Sequence, residues 1–175
     1  MTLEPRRPLA RRTEPIVAFR GWQQIPQRDG GTGSESRTLT GTNYRYVWKP
    51  GINEAAHMQS PYRGMIHLPQ PCPPHQAPTY RCECGFWACS SLEELEATLR
   101  DLYGGERRLL LGSVLLWGHV VRHEHGYRAQ YAMITSLLAD RDCSQLPQIA
   151  EHYAAPVASG GPELAYLGDY ARLGS

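Results

Sequence analysis

The amino-acid sequence predicts an α+β domain, in which an antiparallel sheet is packed by two main helices. Two observations carry this prediction: a helix with a clear start signal at Ser91, and a long apolar β-hairpin that turns at His125-Gly126. No glycine-rich strand-to-helix turn of a phosphate-binding fold is present. A nucleotide-binding domain is therefore not expected.

The N-terminal part of the chain contains short β segments separated by polar loops. Residues 1–14 are rich in Arg and Pro without periodicity, which indicates a disordered basic tail. The apolar run at 16–22 predicts a first strand, and the Gly/Ser-rich stretch at 28–37 predicts a loop. Two further β segments are expected at 38–40 and 44–48, around a Gly-Thr-Asn turn.

The first helix and the hairpin have the strongest local signals. Ser91 and Glu94 form the Ser-x-x-Glu pattern of a capping box, and leucines then recur at helical spacing up to a Gly-Gly stop. The Leu- and Val-rich segment 109–122 predicts a strand, and 127–134 predicts its antiparallel return. These elements place a helix before a long C-terminal hairpin.

The last part of the predicted domain is a second helix over 144–153, which Pro156 ends. The single α+β domain is accordingly expected to span 15–157. The Gly-rich remainder, 158–175, is predicted as a C-terminal tail.

The composition is that of a soluble globular protein. The 175 residues are 41% hydrophobic, with a mean hydropathy of −0.47. No apolar run approaches the roughly 18 residues of a membrane span, and no apolar stretch follows the N-terminal arginines as in a secretory signal. We expect a cytoplasmic protein without a membrane partner. Five cysteines in such a chain favour thiolate or metal chemistry over disulfides.

The most specific chemical feature is a cysteine-rich run at 72–89. Cys72 and His75 form a Cys-x-x-His pair, and after six residues Cys82 and Cys84 form a Cys-x-Cys pair before a glycine. Soft donors close together around a turn glycine are the ligands that tetrahedral zinc prefers. A site closed by four protein ligands has no position for water, so we expect a structural zinc.

The donor set has alternatives. His57 competes for the place of Cys72 or His75, and Cys89 follows the Cys-x-Cys pair by five residues. In either arrangement the metal would pin the proline-rich irregular loop at 50–78. The competing interpretation is a set of buried free thiols in an aromatic-lined core.

Polar residues of the hairpin form a second candidate site. Strand alternation places His119 and His123 on one face, and an even-length turn brings Arg128 and Gln130 beside them. Arg128 would then be the bidentate partner of a small anion or a peptide carboxylate. The alternative is a solvated sheet face with hydrogen-bonded histidines, and an odd-length loop would break the grouping.

Two other function classes remain open at this level. Cys89 and His119 supply the residue types of a Cys/His-dependent hydrolase or transferase, which needs a thiolate close to a base. A nucleic-acid-binding protein would use the arginines of the basic tail. These are Arg6, Arg7, Arg11 and Arg12.

The motifs between residues 45 and 157 resemble those of an uncharacterised, mainly actinobacterial protein family. The motifs are Trp48-Lys49-Pro50-Gly51, His75-Gln76-Ala77-Pro78, Cys82-Glu83-Cys84-Gly85-Phe86-Trp87-Ala88, Trp117-Gly118-His119-Val120-Val121, Gly126-Tyr127-Arg128-Ala129 and Tyr153-Ala154-Ala155-Pro156-Val157. That family usually has a cysteine shortly after Trp-x-Pro-Gly, where this chain has His57. The resemblance implies no particular reaction.

The resemblance does imply a choice among the donors. It favours His57, His75, Cys82 and Cys84 as the zinc ligands over a set that includes Cys72. The sequence is therefore interpreted as a zinc-stabilised binding or adaptor module, whose partner is another protein or a small anionic ligand. Its recognition surface is expected in the groove between the metal loop and the hairpin.

Overall fold

A computed structural model of the protein has an α+β fold with one mixed sheet. It describes residues 9–24 (of 9–13 only the backbone), 38–41, 46–55, 76–79, 84–103, 109–138 and 143–159. The described elements are β1 (Leu9–Gln24), β2 (Leu39–Gly41), β3 (Asn53–Glu54), β4 (Phe86–Cys89), α1 (Leu92–Tyr103), β5 (Leu110–Arg122), β6 (Gly126–Leu138), α2 (Leu146–Tyr153) and β7 (Val157–Ala158). Within these ranges no helix is long and apolar enough to span a membrane.

The β5–β6 hairpin, which the sequence predicted, is the centre of the sheet. β1 pairs with the outer edge of β5, and β4 pairs with the outer edge of β6. Phe19 of β1 also pairs with Cys89 of β4, so β1, β5, β6 and β4 close a circuit of strand pairings. β2 pairs with the C-terminal end of β1, while β3 and β7 pair with β6.

The prediction of a purely antiparallel sheet is not confirmed, because β7 runs parallel to β6. Parallel neighbours need a crossover connection, and α2 lies in the chain between β6 and β7. The sequence does not predict this pairing because β7 has only two residues, Val157 and Ala158, which are too few to show the alternation of a strand. β7 ends at Ala158, one residue past the predicted end of the domain, and residues 160–175 of the predicted tail lie outside the described part.

The first strand extends into the segment predicted as a disordered tail. β1 begins at Leu9, and its backbone pairs Leu9 with Val120 and Arg12 with Gly118 of β5. Register shifts occur on either side of Arg12, which let the strand accommodate a segment containing Pro15. The strand therefore begins six residues before the predicted start of the domain at residue 15.

β4 is an element that the sequence analysis did not predict. Its four residues were assigned to the cysteine-rich loop, yet they pair with the start of β6. Phe86 and Ala88 are buried, whereas Trp87 is 44% exposed. This alternation of a half-buried strand was present in the sequence after Gly85.

The two predicted helices are confirmed with small changes in their bounds. At the start of α1, the Ser91 hydroxyl accepts a hydrogen bond from the Glu94 N–H at 3.1 Å, as the capping-box pattern predicted. α2 ends at Tyr153, whose buried hydroxyl accepts from the Leu39 N–H and donates to the Trp48 carbonyl, both at 3.0 Å. Tyr153 thus ties α2 to β2 and to the segment that follows it.

An aromatic cluster occupies the middle of the core. Trp48 contacts Trp22 edge-on at a centroid distance of 5.6 Å and Phe86 at 5.0 Å. Tyr46 packs edge-on against Phe86 at 4.8 Å. Aliphatic side chains of the hairpin, including the fully buried Leu116, complete the core. The core thereby joins β1, β4 and the loop before β3.

Candidate functional site

The turn of the hairpin determines which polar residues share a face. Val121 pairs with Arg128 and Val120 with Ala129, as expected for the even-length turn. The His123 N–H donates to the Gly126 carbonyl at 2.8 Å and closes the turn. His123 and Arg128 are therefore brought together, and the Arg128 Nε donates to the His123 Nε2 at 2.8 Å.

A bulge separates the other two predicted residues from this pair. Between Trp117 and Val120 the register of the hairpin shifts by one residue, and Gly118 has a φ of 79°. His119 follows the glycine, is exposed, and donates its backbone N–H to the Gln130 Oε1 at 3.4 Å. Strict alternation, on which the four-residue patch depended, does not extend across the bulge.

Arg128 is buried, with 3% of its surface exposed, and donates hydrogen bonds to backbone carbonyl groups of the protein. Its Nη1 donates to the Cys84 carbonyl at 3.3 Å, and its Nη2 donates to the Thr79 carbonyl at 3.1 Å. Thr79 and Cys84 flank the part of the cysteine-rich run that contains Cys82. Arg128 therefore attaches both sides of this run to the hairpin, whereas the sequence predicted a contact with an external anion.

Trp87 covers the His123–Arg128 pair on the outer side. Its indole stacks on the His123 ring at a centroid distance of 4.5 Å and an interplanar angle of 24°. The Arg128 guanidinium lies 5.5 Å from the centroid of the same indole. Partial burial lowers the pKa of His123, and the charge of Arg128 lowers it further. The ring is thus held neutral, which leaves Nε2 able to accept the hydrogen bond.

Gln130 belongs to a second group around Glu54. Gln130 is buried, and its Nε2 donates to the Glu54 Oε1 at 3.5 Å. The Tyr131 hydroxyl donates to the same oxygen at 3.2 Å, and Trp117 stacks on the Tyr131 ring at 5.8 Å. The structure therefore divides the predicted patch into an Arg128–His123 group and a Gln130–Glu54 group.

Of the predicted zinc donors, Cys84 is in the described part of the chain. It is buried, and Gly85 after it has a φ of 107°, the left-handed conformation expected at the Cys-x-Cys turn. The other donors lie outside the described residues: His57, Cys72, His75 and Cys82. Among the residues that are described, no group of three or more His, Cys, Asp or Glu side chains could hold a metal ion. Zinc binding accordingly stays a prediction.

The Cys89 thiol does not have the environment of an activated nucleophile. Burial raises its pKa, against a weak contact of the Sγ with the Thr98 hydroxyl at 4.0 Å, which lowers it. Nearby Glu94 raises the pKa further and is itself paired with His125 at 2.8 Å. No hydrogen bond joins Cys89 to His119 in the described structure.

The predicted nucleic-acid contacts fall at the start of the chain. Arg6 and Arg7 lie outside the described residues. Arg11 and Arg12 belong to β1, which pairs with β5 there. Half of these arginines are therefore on a sheet strand and not on a free tail.

Two residues of this region were missed by the sequence analysis. The exposure of Trp87 was not predicted, although its position between buried Phe86 and Ala88 indicates an outward-facing side chain. Arg20 was not considered, although it lies two residues from both Ala18 and Trp22 and shares their core-facing side. A charged residue at such a position was the available signal.

Comparison of the chain with protein-family models, curated proteins and solved structures finds no match.

Proposed function

We propose that this protein is a zinc-stabilised binding module, which recognises a peptide segment of another protein through the surface formed by Trp87 and His123. The observation that carries the proposal is a large indole, 44% exposed, that is stacked on a neutral imidazole and braced by a buried arginine. Tryptophan and arginine are the residue types most enriched at the energetic centres of protein interfaces.

The arrangement is organised before any partner binds. Trp87 belongs to β4, which is paired with β6, so its backbone is held within the sheet. The stack on His123 restricts the side chain as well. An anchor with little freedom left to lose costs less ordering entropy on binding than a mobile side chain.

Zinc would stabilise the segment next to this surface. Cys82 and Cys84 would supply thiolates, His75 an imidazole, and His57 or Cys72 the fourth donor. Burial of Cys84 and the attachment of its carbonyl to Arg128 support this assignment, because they hold Cys84, the second cysteine of the Cys-x-Cys pair, at a defined place beside β4. When bound, zinc would cross-link the run and contribute folding free energy.

Zinc binding is tested by measuring the zinc content of the purified protein. Wild type is expected to carry stoichiometric zinc, which Cys82→Ser and Cys84→Ser lose. Cys143→Ser is the matched control, because this half-buried thiol lies in the loop before α2 and contacts Gln24. A metal-free wild type with all thiols titratable would overturn zinc binding.

Peptide recognition is tested with a random peptide library that is displayed on phage and selected against the wild-type protein. The selected peptides are expected to lose about tenfold or more in affinity for Trp87→Ala, the loss of an interface anchor. Trp117→Ala is the control, since this indole stacks on Tyr131 in the other polar group. Failure to select any peptide, or equal loss in both variants, would contradict the proposed surface.

A further inference from the structure

A second site candidate lies in the core, where three neighbouring side chains each have a buried hydrogen-bond donor without a partner. The Arg20 Nε, the Trp22 Nε1 and the Trp48 Nε1 are buried and have no hydrogen-bond partner. The three side chains are in contact: Trp22 packs edge-on against Trp48, and the Arg20 guanidinium lies 5.2 Å from the centroid of Trp48. They form one cluster, which we call the donor cluster.

The donor cluster is incomplete as it stands. Each buried donor without an acceptor costs roughly 1–3 kcal/mol, so native domains contain few of them. Arginine and tryptophan side chains carry no nitrogen or oxygen acceptor, so these residues can offer one another only the weakly accepting π face of an indole. An acceptor from outside the donor cluster is needed to complete it.

The charge of the donor cluster favours an anion over a neutral acceptor. Burial lowers the pKa of Arg20 to about 10, so the guanidinium remains protonated at neutral pH. The other group that acts on it is the Cys89 thiol, whose own pKa is raised by burial and which is therefore uncharged there. No described carboxylate pairs with Arg20. Its Nη1 donates to the carbonyl of Trp87, a neutral partner.

We propose that Arg20, Trp22 and Trp48 bind a small monovalent anion of the halide class. A spherical anion accepts hydrogen bonds from any direction, which suits N–H groups of two indoles and one guanidinium. Trp22 and Trp48 are almost completely buried while Arg20 is half-buried, so the ion would enter beside Arg20. Because Arg20 also holds the Trp87 carbonyl, an occupied site would fix β4 from the core side.

The proposal is tested by thermal unfolding in sodium chloride, sodium bromide and sodium gluconate at equal ionic strength. Chloride and bromide are expected to raise the Tm of wild type with a saturable dependence, as a ligand of the folded state does, and gluconate is not. Trp22→Phe and Trp48→Phe keep a buried ring but lose the N–H, and each is expected to weaken the anion affinity by about tenfold. Trp117→Phe removes an indole N–H elsewhere and should behave as wild type.

Arg20→Met is expected to abolish the halide dependence, and the two Trp→Phe variants keep the test valid if Arg20→Met does not fold. Bromide in crystals should give an anomalous peak within hydrogen-bond distance of the Arg20 Nε. A Tm that is identical in all three salts would overturn the proposal. So would a water molecule at this position, without anomalous signal in bromide.

Discussion

The Arg128 Nε donates a hydrogen bond to the His123 Nε2 at 2.8 Å, and this side-chain bond links the turn of the hairpin to β6. Two further donors of Arg128 reach the carbonyls of Thr79 and Cys84. The turn, β4 and the flanks of the cysteine-rich run are therefore organised around one buried guanidinium.

Acidification should weaken the fold through His123. Its pKa in the folded protein lies below the usual value of about 6.5, chiefly because of burial. Between these two pKa values the unfolded chain binds more protons, so the free energy of unfolding falls as the pH decreases through this window. Urea unfolding of wild type and His123→Gln at about pH 7.5 and about pH 5.5 measures the effect. The variant should lose less stability on acidification, whereas exposed His119→Gln should follow wild type. An unchanged pH dependence in His123→Gln would refute this role.

Replacement of Arg128 by Met should destabilise the protein by roughly 3 kcal/mol, because three charge-assisted hydrogen bonds from one buried group are lost. Denaturant unfolding measures the change. Exposed Arg122 lies on the same hairpin, and Arg122→Met should change the stability by no more than about 0.5 kcal/mol. Equal effects of the two substitutions would show that Arg128 does not hold this region together.

Alanine substitutions at Gly118 and Gly51 distinguish the steric cost of an added Cβ from the cost of backbone strain. Both have positive φ, 79° and 75°, so alanine at either position is strained by roughly 1 kcal/mol. At Gly118 a Cβ would lie 2.7 Å from the Tyr131 ring, whereas at Gly51 it would meet nothing within 4 Å. Gly118→Ala should therefore cost more than Gly51→Ala, by roughly another 1–3 kcal/mol in denaturant unfolding. Similar losses of stability in the two variants would contradict this, because they would mean that the Tyr131 ring moves away from the added Cβ at little cost.

The buried Asn53 side chain is hydrogen-bonded to the backbone of the loop before β3. Its Oδ1 accepts from the Lys49 N–H at 2.9 Å, and its Nδ2 donates to the Lys49 and Gly51 carbonyls at 3.0 Å. Asn53→Asp replaces the donor with a carboxylate oxygen facing two carbonyl oxygens, which should cost roughly 2–4 kcal/mol at neutral pH. Part of the loss should be recovered below about pH 4, where the carboxyl can donate. Unfolding curves at both pH values test this, and wild-type stability at neutral pH would contradict it.

Local signals account for the elements that were predicted correctly. The capping box at Ser91, the apolar strands around the 123–126 turn and the apolar spacing before Pro156 depend on neighbours within a few residues. β4 was not predicted because it lies in the cysteine-rich run that was assigned to a metal loop, although Phe86-Trp87-Ala88 has the alternation of a strand. Of the four residues of the predicted polar patch, His123 and Arg128 lie together on the turn side of the bulge.

The sequence alone determined the α+β class, the long hairpin, both helices and the proximity of His123 to Arg128, because periodicity, capping and turn length act over short distances. Tertiary structure decided the rest. The bulge at Gly118 moved His119 and Gln130 into another group, and pairing across the sheet placed Trp87 outward and Arg20 toward the core. These outcomes depend on which distant segments approach a strand, here β4 and the carbonyls of Thr79 and Cys84, and residue spacing along one chain does not specify such neighbours.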